Sequence, residues 1–541
     1  MILCGWCGAQ NEFREVESME KHDVLIIGGG HNGLAVAAYL AKSGLDVCVI
    51  ERQDIVGGTV ATRELTLPGF KHEVGAYMHG LIQANPLIRL DELGLKSKYG
   101  LKYIYPEKMF EAVFPDNRTM CFYRDLEKTC ESIAQFSPKD AESYRSFYKA
   151  SNKMLKIASV AMFTPVPKWG AMMAFLDASD EGREFTRTIM SSSAEITDEW
   201  FENEAVKIAI TRFASEMMIS PYEVGTGNAM FFASSLHTGG YGLVEGGSGG
   251  LSMALAACIR DNRGTIKTSS PVKSIKVTGG EAKSVILENG EEIAAAKAVV
   301  SNVNVRQLFL DMIDPSTLSP EFTGRVKKIR PSAFSAMNIA IATKSSPTFK
   351  SGNKCDAMFT EINPWIDEYR RIFEEFNRGI PSAGMPLIAV PTVYDATRAP
   401  NGQHTVYLYH YEPYNLRDGG AAKWDGIKDD IAKKIIEVLS RHIDGLNSEN
   451  ILGMKVFSPL DIERYNPSMQ SGDIMHISSS IAQSYGNRPI GGWGQYRTPI
   501  NKLYMCGAST HPGGGVTGGG RAAALLIMED LGIDYKKVVG K

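Results

Sequence analysis

The sequence lacks any run of about 18 consecutive apolar residues, the length at which a segment becomes a candidate membrane-spanning helix. Roughly the first 20 residues also lack the charged-then-apolar order of a signal peptide, so we expect residues 1–21 to form an N-terminal extension. A basic excess is missing as well, because the formal net charge is -3. These absences favour a cytoplasmic protein and argue against a nucleic-acid partner.

Cysteine is scarce, with 8 residues in a chain of 541. Cys4 and Cys7 form a CxxC pair, and no second pair completes a tetrahedral zinc site. We therefore predict no metal site, and free thiols in a reducing compartment.

The chain is longer than a single hydrophobic core, which rarely exceeds about 250–300 residues, so two domains are expected. Its composition, 44% hydrophobic and 22% charged, is that of a globular protein. The 53 glycines are spread unevenly and cluster near 28–33, 239–250 and 507–520. These glycine clusters contain the motifs from which we infer the function.

The first glycine cluster lies inside a βαβ pattern. The apolar run 24–27 predicts a buried strand, the turn 28–33 follows at once, and 34–44 is rich in helix formers. A second apolar strand, 45–51, ends in Glu51. This order is typical of a dinucleotide-binding unit.

Each glycine of the motif has a physical role in such a unit. Gly28 permits the tight turn, Gly30 lets the backbone approach a pyrophosphate, and Gly33 lets the helix pack on the sheet. The uncapped helix N-terminus attracts the pyrophosphate. Glu51, which follows Gly33 by 18 residues, can accept hydrogen bonds from ribose hydroxyls.

A glycine-rich loop near the other end of the chain favours FAD over NAD. Residues 503–532 have the order strand, loop, helix, with glycines at 513–515 and 518–520 that let backbone pass close to a flat ligand. A helix beginning near Gly519 presents its positive end to that loop, which favours a reduced flavin. We expect Gly514 to lie against the isoalloxazine edge.

The chain resembles the phytoene desaturase-like FAD-dependent oxidoreductases over nearly its whole length from residue 22. The segments that carry the resemblance are GGGHNGLAVAAYLAKSGLDVCVIERQDIVGGTVATRELTLPGFKHEVGAYMH, GGYGLVEGGSGGLSMALA, AVVSNVN, VPTVYDATRAPNGQHTVY, SGDIMHI and RPIGGWGQYRTPINKLYMCGASTHPGGGVTGGGRAAA. The subgroup it is most similar to contains carotenoid desaturases, retinol saturase and pyridine nucleotide-disulfide oxidoreductase domain proteins. The wider superfamily includes amine oxidases and the Rab GDP-dissociation inhibitors.

The resemblance implies an α/β fold with a Rossmann-like FAD-binding domain of the glutathione-reductase type and a discontinuous α+β substrate domain. The FAD-binding domain is expected from residues 22–90, 236–335 and 480–541. The substrate domain is expected from residues 91–235 and 336–479.

The resemblance also implies which residues hold FAD. They are Gly28, Gly30, His31, Asn32, Gly33, Glu51, Arg52, Gly57, Gly58, Thr59, Val272, Gly507, His511, Pro512, Gly513, Gly514, Gly515 and Val516. Thr59 departs from the family pattern, because many relatives have arginine after the Gly-Gly pair. This departure weakens any inference from the carotenoid desaturases and amine oxidases about substrate.

The chemistry implied is hydride transfer from a substrate carbon to the flavin, with loss of a proton to form a C=C bond. A carbonyl beside the C–H bond or a conjugated polyene can assist that loss. The candidate bases are His476, Tyr496, His79 and Tyr77, and Trp493 is a candidate wall of the pocket. Structural roles for each of these side chains stay open.

Three functions are compatible with these residues. The first is a desaturase or dehydrogenase of an apolar or cyclic substrate, with oxygen or a quinone as electron acceptor. The second is an isomerase or saturase with the same cofactor. The third is a non-catalytic binding protein of the Rab GDP-dissociation inhibitor type.

The Met-rich segments 154–163 and 169–176 flank the turn TPVPK. Methionine fills irregular apolar sites, so these segments predict either ordinary core, a lining for an apolar substrate, or peripheral membrane contact.

Overall fold

A computed structural model describes residues 19–540. The CxxC pair of Cys4 and Cys7, and most of the predicted N-terminal extension, lie outside the described residues. Two seven-stranded sheets organise the part of the chain that is described.

The first sheet is built on parallel strands. In spatial order its strands are Val272–Thr278, Glu281–Leu287, Glu292–Ser301, Lys21–Ile27, Val47–Ile50 and Thr265–Lys267, with Leu503–Met505 also paired to Glu292–Ser301. The strands Val272–Thr278, Glu281–Leu287 and Glu292–Ser301 pair in antiparallel fashion, and the remaining neighbours pair in parallel. Residues 24–27 are buried on both faces, as expected for a parallel strand covered by helices.

Helices cover both faces of the first sheet. One face packs against His31–Lys42, Gly249–Asp261 and Gly520–Asp530. The other face packs against Val305–Asp311 and Pro320–Lys327. This arrangement confirms the predicted βαβ unit and the Rossmann-like class.

The second sheet is mostly antiparallel. In spatial order its strands are Ile451–Phe457, Ser335–Thr343, His404–Glu412, Leu387–Ala389, Phe359–Ile362, Lys108–Val113 and Thr119–Tyr123. One face packs against the helix Trp424–Leu439, which buries Ile431, Ile435 and Leu439. The strands come from two separate stretches of chain, which is the discontinuous arrangement that the resemblance implies. The domain boundaries themselves stay a prediction.

Along the chain, a helical region lies between the strand Thr119–Tyr123 and the later strands of the second sheet. Its helices are Leu126–Ala134, Pro138–Met162, Trp169–Asp177, Asp180–Met190, Ser193–Trp200, Glu204–Ser215 and Phe232–Ser234. The remaining helices are Leu81–Ala84, Pro86–Arg89, Ile366–Asn377, Pro459–Tyr465 and Tyr535–Val539. Short strand pairs are Thr62–Arg63 with His72–Glu73, Tyr103–Ile104 with Leu243–Val244, and Thr348–Phe349 with Ile443–Asp444. Within residues 19–540, no helix combines the length and apolar character needed to cross a membrane.

The Met-rich segments contribute some side chains to the helical core. Met154 and Met172 are buried there, and Phe175 is exposed on the helix surface. The two segments form parts of the helices Pro138–Met162 and Trp169–Asp177.

The N-terminal and C-terminal parts of the chain meet where the helices His31–Lys42 and Gly520–Asp530 begin. The backbone N–H of Gly520 donates to Asn32 Oδ1 at 3.0 Å. A Cβ atom at Gly520 would lie 2.2 Å from the backbone oxygen of Asn32, which is far inside van der Waals contact. Glycine at 520 therefore sets how closely the two helices approach.

We predict that Gly520→Ala lowers the melting temperature, because the added methyl group forces the two helices apart at a cost of about 1–3 kcal/mol. Gly324→Ala is the matched control, since Gly324 lies in the helix Pro320–Lys327 with open space around its Cβ position. The control should leave stability unchanged or raise it by up to about 1 kcal/mol. Circular dichroism melts of both variants test this, and equal melting temperatures would show that the contact does not limit packing.

Candidate functional site

A cavity of about 630 Å³ lies between the two sheets. At one end it reaches the carboxyl ends of the parallel strands, at Ile27 and Ile50, where open α/β sheets bind ligands. At the other end it reaches the face of the second sheet opposite the helix Trp424–Leu439, at Phe359 and Tyr407. One end of the cavity is thus lined largely by the backbone of glycine-rich segments, and the other by aromatic side chains. We call them the backbone-rich end and the aromatic end.

The N-terminal glycine turn forms the first wall of the cavity. Gly28 has φ +91°, a left-handed conformation that glycine tolerates. Gly30, His31 and Asn32 line the cavity, and no side chain caps the helix that begins at His31. Gly33 lies behind this wall, where a Cβ atom would be 2.3 Å from the Gly28 oxygen. Its role is the helix packing that the motif predicts.

Glu51 closes the glycine turn and also lines the cavity. Its carboxylate accepts the backbone N–H of Gly29 at 2.7 Å and that of Gln53 at 2.8 Å. Burial raises the pKa of Glu51, while these N–H groups act in the opposite direction. Arg52 lines the cavity beside it. The binding of a ribose by Glu51 stays a prediction.

A second backbone stretch lies next to the first. Gly57 has φ +122° and Gly58 has φ +61°, and the Gly57 N–H donates to the Gly29 oxygen at 2.8 Å. Gly57, Gly58 and Thr59 all line the cavity. Val272, at the start of a strand of the first sheet, lines it as well.

The C-terminal glycine loop contributes Gly514, Gly515 and Val516 to the lining. A Cβ atom at Gly514 would lie 2.3 Å from Met475 Sδ. The close approach of Met475 is a second reason for glycine at this position, and the contact of Gly514 with the isoalloxazine edge stays a prediction. Gly515 has φ +80° and open space around its Cβ position.

Four further residues of this loop are not among the cavity-lining residues. Gly507 has φ +92° and packs against Asn302, and Gly513 packs against the guanidinium of Arg488. The ring of His511 stacks near Tyr485, and Pro512 follows it through a cis peptide bond. Their direct contact with FAD stays a prediction, and in this structure they pack against the residues that support the loop.

His31 connects the two glycine-rich segments. Burial lowers its pKa to about 4, against the opposing effect of a hydrogen bond with the Gly515 backbone. The imidazole is therefore neutral near pH 7. This imidazole and the contact between Asn32 and Gly520 connect the N-terminal and C-terminal walls of the cavity.

Arg488 fixes the segment that carries His476. It is 2% exposed, and its guanidinium donates to the carbonyl oxygens of Met475 at 2.7 Å and Ala508 at 2.6 Å. Burial lowers its pKa to about 10, while Asp473 raises it. This buried cation joins residues 475–478 to the strand end that precedes the C-terminal loop.

The predicted catalytic side chains have three different placements. His476 and Tyr77 line the cavity. His79 lies just behind it, with Nδ1 2.9 Å from the Tyr103 hydroxyl. Tyr496 and Trp493 are placed away from the cavity, which corrects the expectation for both.

Tyr496 and Trp493 have packing roles. The Tyr496 hydroxyl donates to the His511 carbonyl at 3.1 Å, and the side chain is buried against the first sheet. Trp493 makes an edge-on contact with Phe322, at a centroid distance of 6.0 Å. The sequence motif correctly indicates that this segment lies near the C-terminal glycine loop, but the two side chains point into the core.

Neither cavity-lining candidate is a strong base. Burial lowers the pKa of His476 to about 3, with the charge of Arg488 acting in the same direction. Burial raises the pKa of Tyr77, whose hydroxyl has no hydrogen-bond partner within the described part of the chain. At neutral pH the cavity therefore presents a neutral imidazole and a neutral phenol.

Sequence reasoning missed the polar groups at the aromatic end of the cavity. Glu216, Glu361 and Asn338 line it among phenylalanine, tyrosine and methionine side chains. The available signal was an acid inside an apolar strand, as in FTEI at 359–362. No described residue of 154–176 lines the cavity. The cavity therefore gives no support to a substrate-lining role of the Met-rich segments, and their peripheral membrane contact stays a prediction.

The donor set at the backbone-rich end fits an adenine dinucleotide. It offers an uncapped helix N-terminus, positive-φ glycines and a buried acid at the end of the second strand. Residues from both ends of the chain line the same cavity, as an extended ligand with a flavin requires. The fold and site define a flavin-dependent oxidoreductase.

The chain belongs to the flavin containing amine oxidoreductase family, whose sequence model matches residues 33–441. It is 29% identical to pyridine nucleotide-disulfide oxidoreductase domain-containing protein 2 of Rattus norvegicus, covering 94% of each chain. It is 26% identical to one of the subunits of limonene dehydrogenase from Castellaniella defragrans, covering 96% of each. Cyclohexylamine oxidase from Brevibacterium oxydans has a similar structure, with a TM-score of 0.59, 16% identity, and coverage of 94% of this chain and 99% of that one. The cofactor is FAD.

We predict that Glu51→Ala weakens FAD binding about 10- to 100-fold, because losing a charged hydrogen-bond acceptor costs about 1.5–3 kcal/mol. Glu51→Gln should have a smaller effect, since its amide oxygen still accepts one of the two N–H groups. Equilibrium binding of FAD to apoprotein measures both. Glu291→Ala, on an exposed part of the first sheet, is the control, and an unchanged dissociation constant in Glu51→Ala would contradict the assignment.

Proposed function

We propose that the protein is an FAD-dependent dehydrogenase or desaturase that forms a C=C bond in an apolar or cyclic substrate. The observation that carries this proposal is the aromatic end of the cavity. Tyr77 and Tyr407 stack with centroids 5.4 Å apart, and Phe359 meets Tyr77 edge-on at 4.9 Å. Such walls favour a hydrocarbon body over a polar one.

Bound FAD supplies a two-electron acceptor for a hydride, which oxygen or a quinone then regenerates. The chain's own residues supply position and exclusion of water. Aromatic side chains from five strands and from Phe213 enclose the substrate end, so a reactive carbocation formed there is shielded from bulk water.

The weakness of the predicted bases favours one of the two chemical routes. Removing a proton beside a carbonyl group before hydride loss needs a strong base, and His476, with a pKa of about 3, is a weak one. A carbon that has lost hydride next to a double bond is stabilised as an allylic cation. The neighbouring C–H of such a cation is acidic enough for a neutral imidazole to accept its proton. These considerations favour a substrate with a C=C bond beside the reacting carbon.

The similarity to a component of limonene dehydrogenase supports this class, since the name of that enzyme describes dehydrogenation of an unsaturated cyclic hydrocarbon. The similarity to cyclohexylamine oxidase names the competing chemistry, oxidation at a C–N bond. The cavity lining offers apolar surface to both kinds of substrate, and the panel below includes one compound of each kind.

We expect unsaturated apolar compounds to bleach the bound FAD when mixed with the holoenzyme without oxygen. The panel is a carotenoid precursor, a retinoid, an unsaturated fatty acid, limonene, a cyclic ketone and cyclohexylamine. Stopped-flow absorbance follows the flavin, and mass spectrometry of the product should show a loss of two hydrogens. Re-admitted oxygen or added quinone should restore the oxidised spectrum.

Other outcomes replace the proposal with a stated alternative. Bleaching by cyclohexylamine alone would assign amine oxidation. A changed product of unchanged mass, with the flavin oxidised at the end, would assign an isomerase. Conversion of a C=C bond to a single bond by pre-reduced holoenzyme, with no bleaching of the oxidised form, would assign a saturase.

A further inference from the structure

One row of side chains crosses the second sheet at the aromatic end of the cavity. In spatial order, each in register with the next, it consists of Ala112, Glu361, Leu387, Tyr409, Asn338 and Phe457. All of these residues line the cavity, as expected for one face of a pleated sheet. Glu361 and Asn338 lie three strand spacings apart, about 14 Å, so the row presents two separate polar points.

Glu361 has a carboxyl group without a hydrogen-bond or ion-pair partner among residues 19–540. The side chain is 6% exposed. Burial raises its pKa to about 7, with the charge of Arg212 acting against that rise and Glu216 adding to it. A ligand that forms a hydrogen bond with an enclosed polar group of this kind is bound more tightly, because the cost of burying the unpaired group is removed.

The two charged side chains nearest to Glu361 already have partners. The Tyr411 hydroxyl donates to Glu216 at 2.5 Å. Arg212 donates to the backbone carbonyl of Met385 at 2.6 Å. Burial raises the pKa of Glu216, while the hydrogen bond from Tyr411 and the charge of Arg212 act against that rise. The Arg212 guanidinium is therefore the cation of this region, and a neutral ligand adds no second one.

We propose that the carboxyl group of Glu361 binds the hydroxyl group of an otherwise apolar substrate. The proposal rests on the proposed function in one respect, namely that the aromatic end of the cavity holds the substrate. A hydroxyl group both donates and accepts a hydrogen bond, which matches a carboxyl group in either protonation state. Leu387 and Tyr409, which follow Glu361 in the row, pack against the hydrocarbon body. An ammonium group would instead add a second cation near Arg212.

The test uses limonene, its hydroxylated analogue perillyl alcohol, and the corresponding perillylamine as probes. Equilibrium dialysis against holoenzyme reduced beforehand with dithionite measures affinity without turnover. We expect perillyl alcohol to bind about tenfold more tightly than limonene, a difference of about 1.4 kcal/mol. Glu361→Leu should bring the two affinities within about twofold, whereas Glu361→Gln, whose amide also donates and accepts, should keep a preference for the alcohol.

Glu111→Gln is the matched control. Glu111 is a buried glutamate on the adjacent strand, but it points to the opposite face of the sheet and pairs with Lys108 at 3.0 Å. It should leave every affinity unchanged. Equal binding of limonene and alcohol to wild type, binding of none of the three probes, or tightest binding of the amine would overturn the proposal. Because no turnover is involved, these results are independent of whether the oxidised enzyme dehydrogenates the compounds.

Discussion

The close approach of two backbone segments from opposite ends of the chain is the constraint on which the site depends. Gly520 has no side chain to hold the C-terminal helix away from Asn32, and Asn32 Oδ1 accepts the Gly520 N–H. The His31 imidazole, which lines the same cavity as Gly515, adds an interaction with the Gly515 backbone. With these contacts, the two glycine-rich segments line a single cavity.

The cavity divides its chemistry between its two ends. At the first sheet, backbone N–H groups and helix N-termini suit the phosphates and rings of FAD. At the second sheet, aromatic side chains suit a hydrocarbon, and Glu361 adds one polar point. The buried histidines are neutral and weakly basic. The protein therefore contributes position and a dry environment more than strong acid–base chemistry.

Local sequence signals predicted the backbone-rich end well. The glycine turn, the following helix and Glu51 lie within 24 residues of one another, so their spacing alone implies a βαβ unit. The strand His404–Glu412 and the helix Trp424–Leu439 likewise follow from local patterns of alternation and helical periodicity.

The aromatic end could not be predicted in the same way. Its row joins residues from Ala112 to Phe457 through the register of six strands, and register depends on long-range pairing. Motif proximity also misled for Tyr496 and Trp493, because a position beside the loop does not determine whether a side chain faces the cavity or the core. Glu361 was visible as an acid in an apolar strand, but only the fold shows what it faces.

Hydrogen–deuterium exchange of the apoprotein and the FAD-loaded protein tests the central claim most directly. If both ends of the chain form one cofactor site, FAD should slow amide exchange in 28–34 and in 514–521 together. The helix Trp424–Leu439, which packs on the far face of the second sheet, should exchange equally in both states. Protection confined to the N-terminal segment would contradict the account.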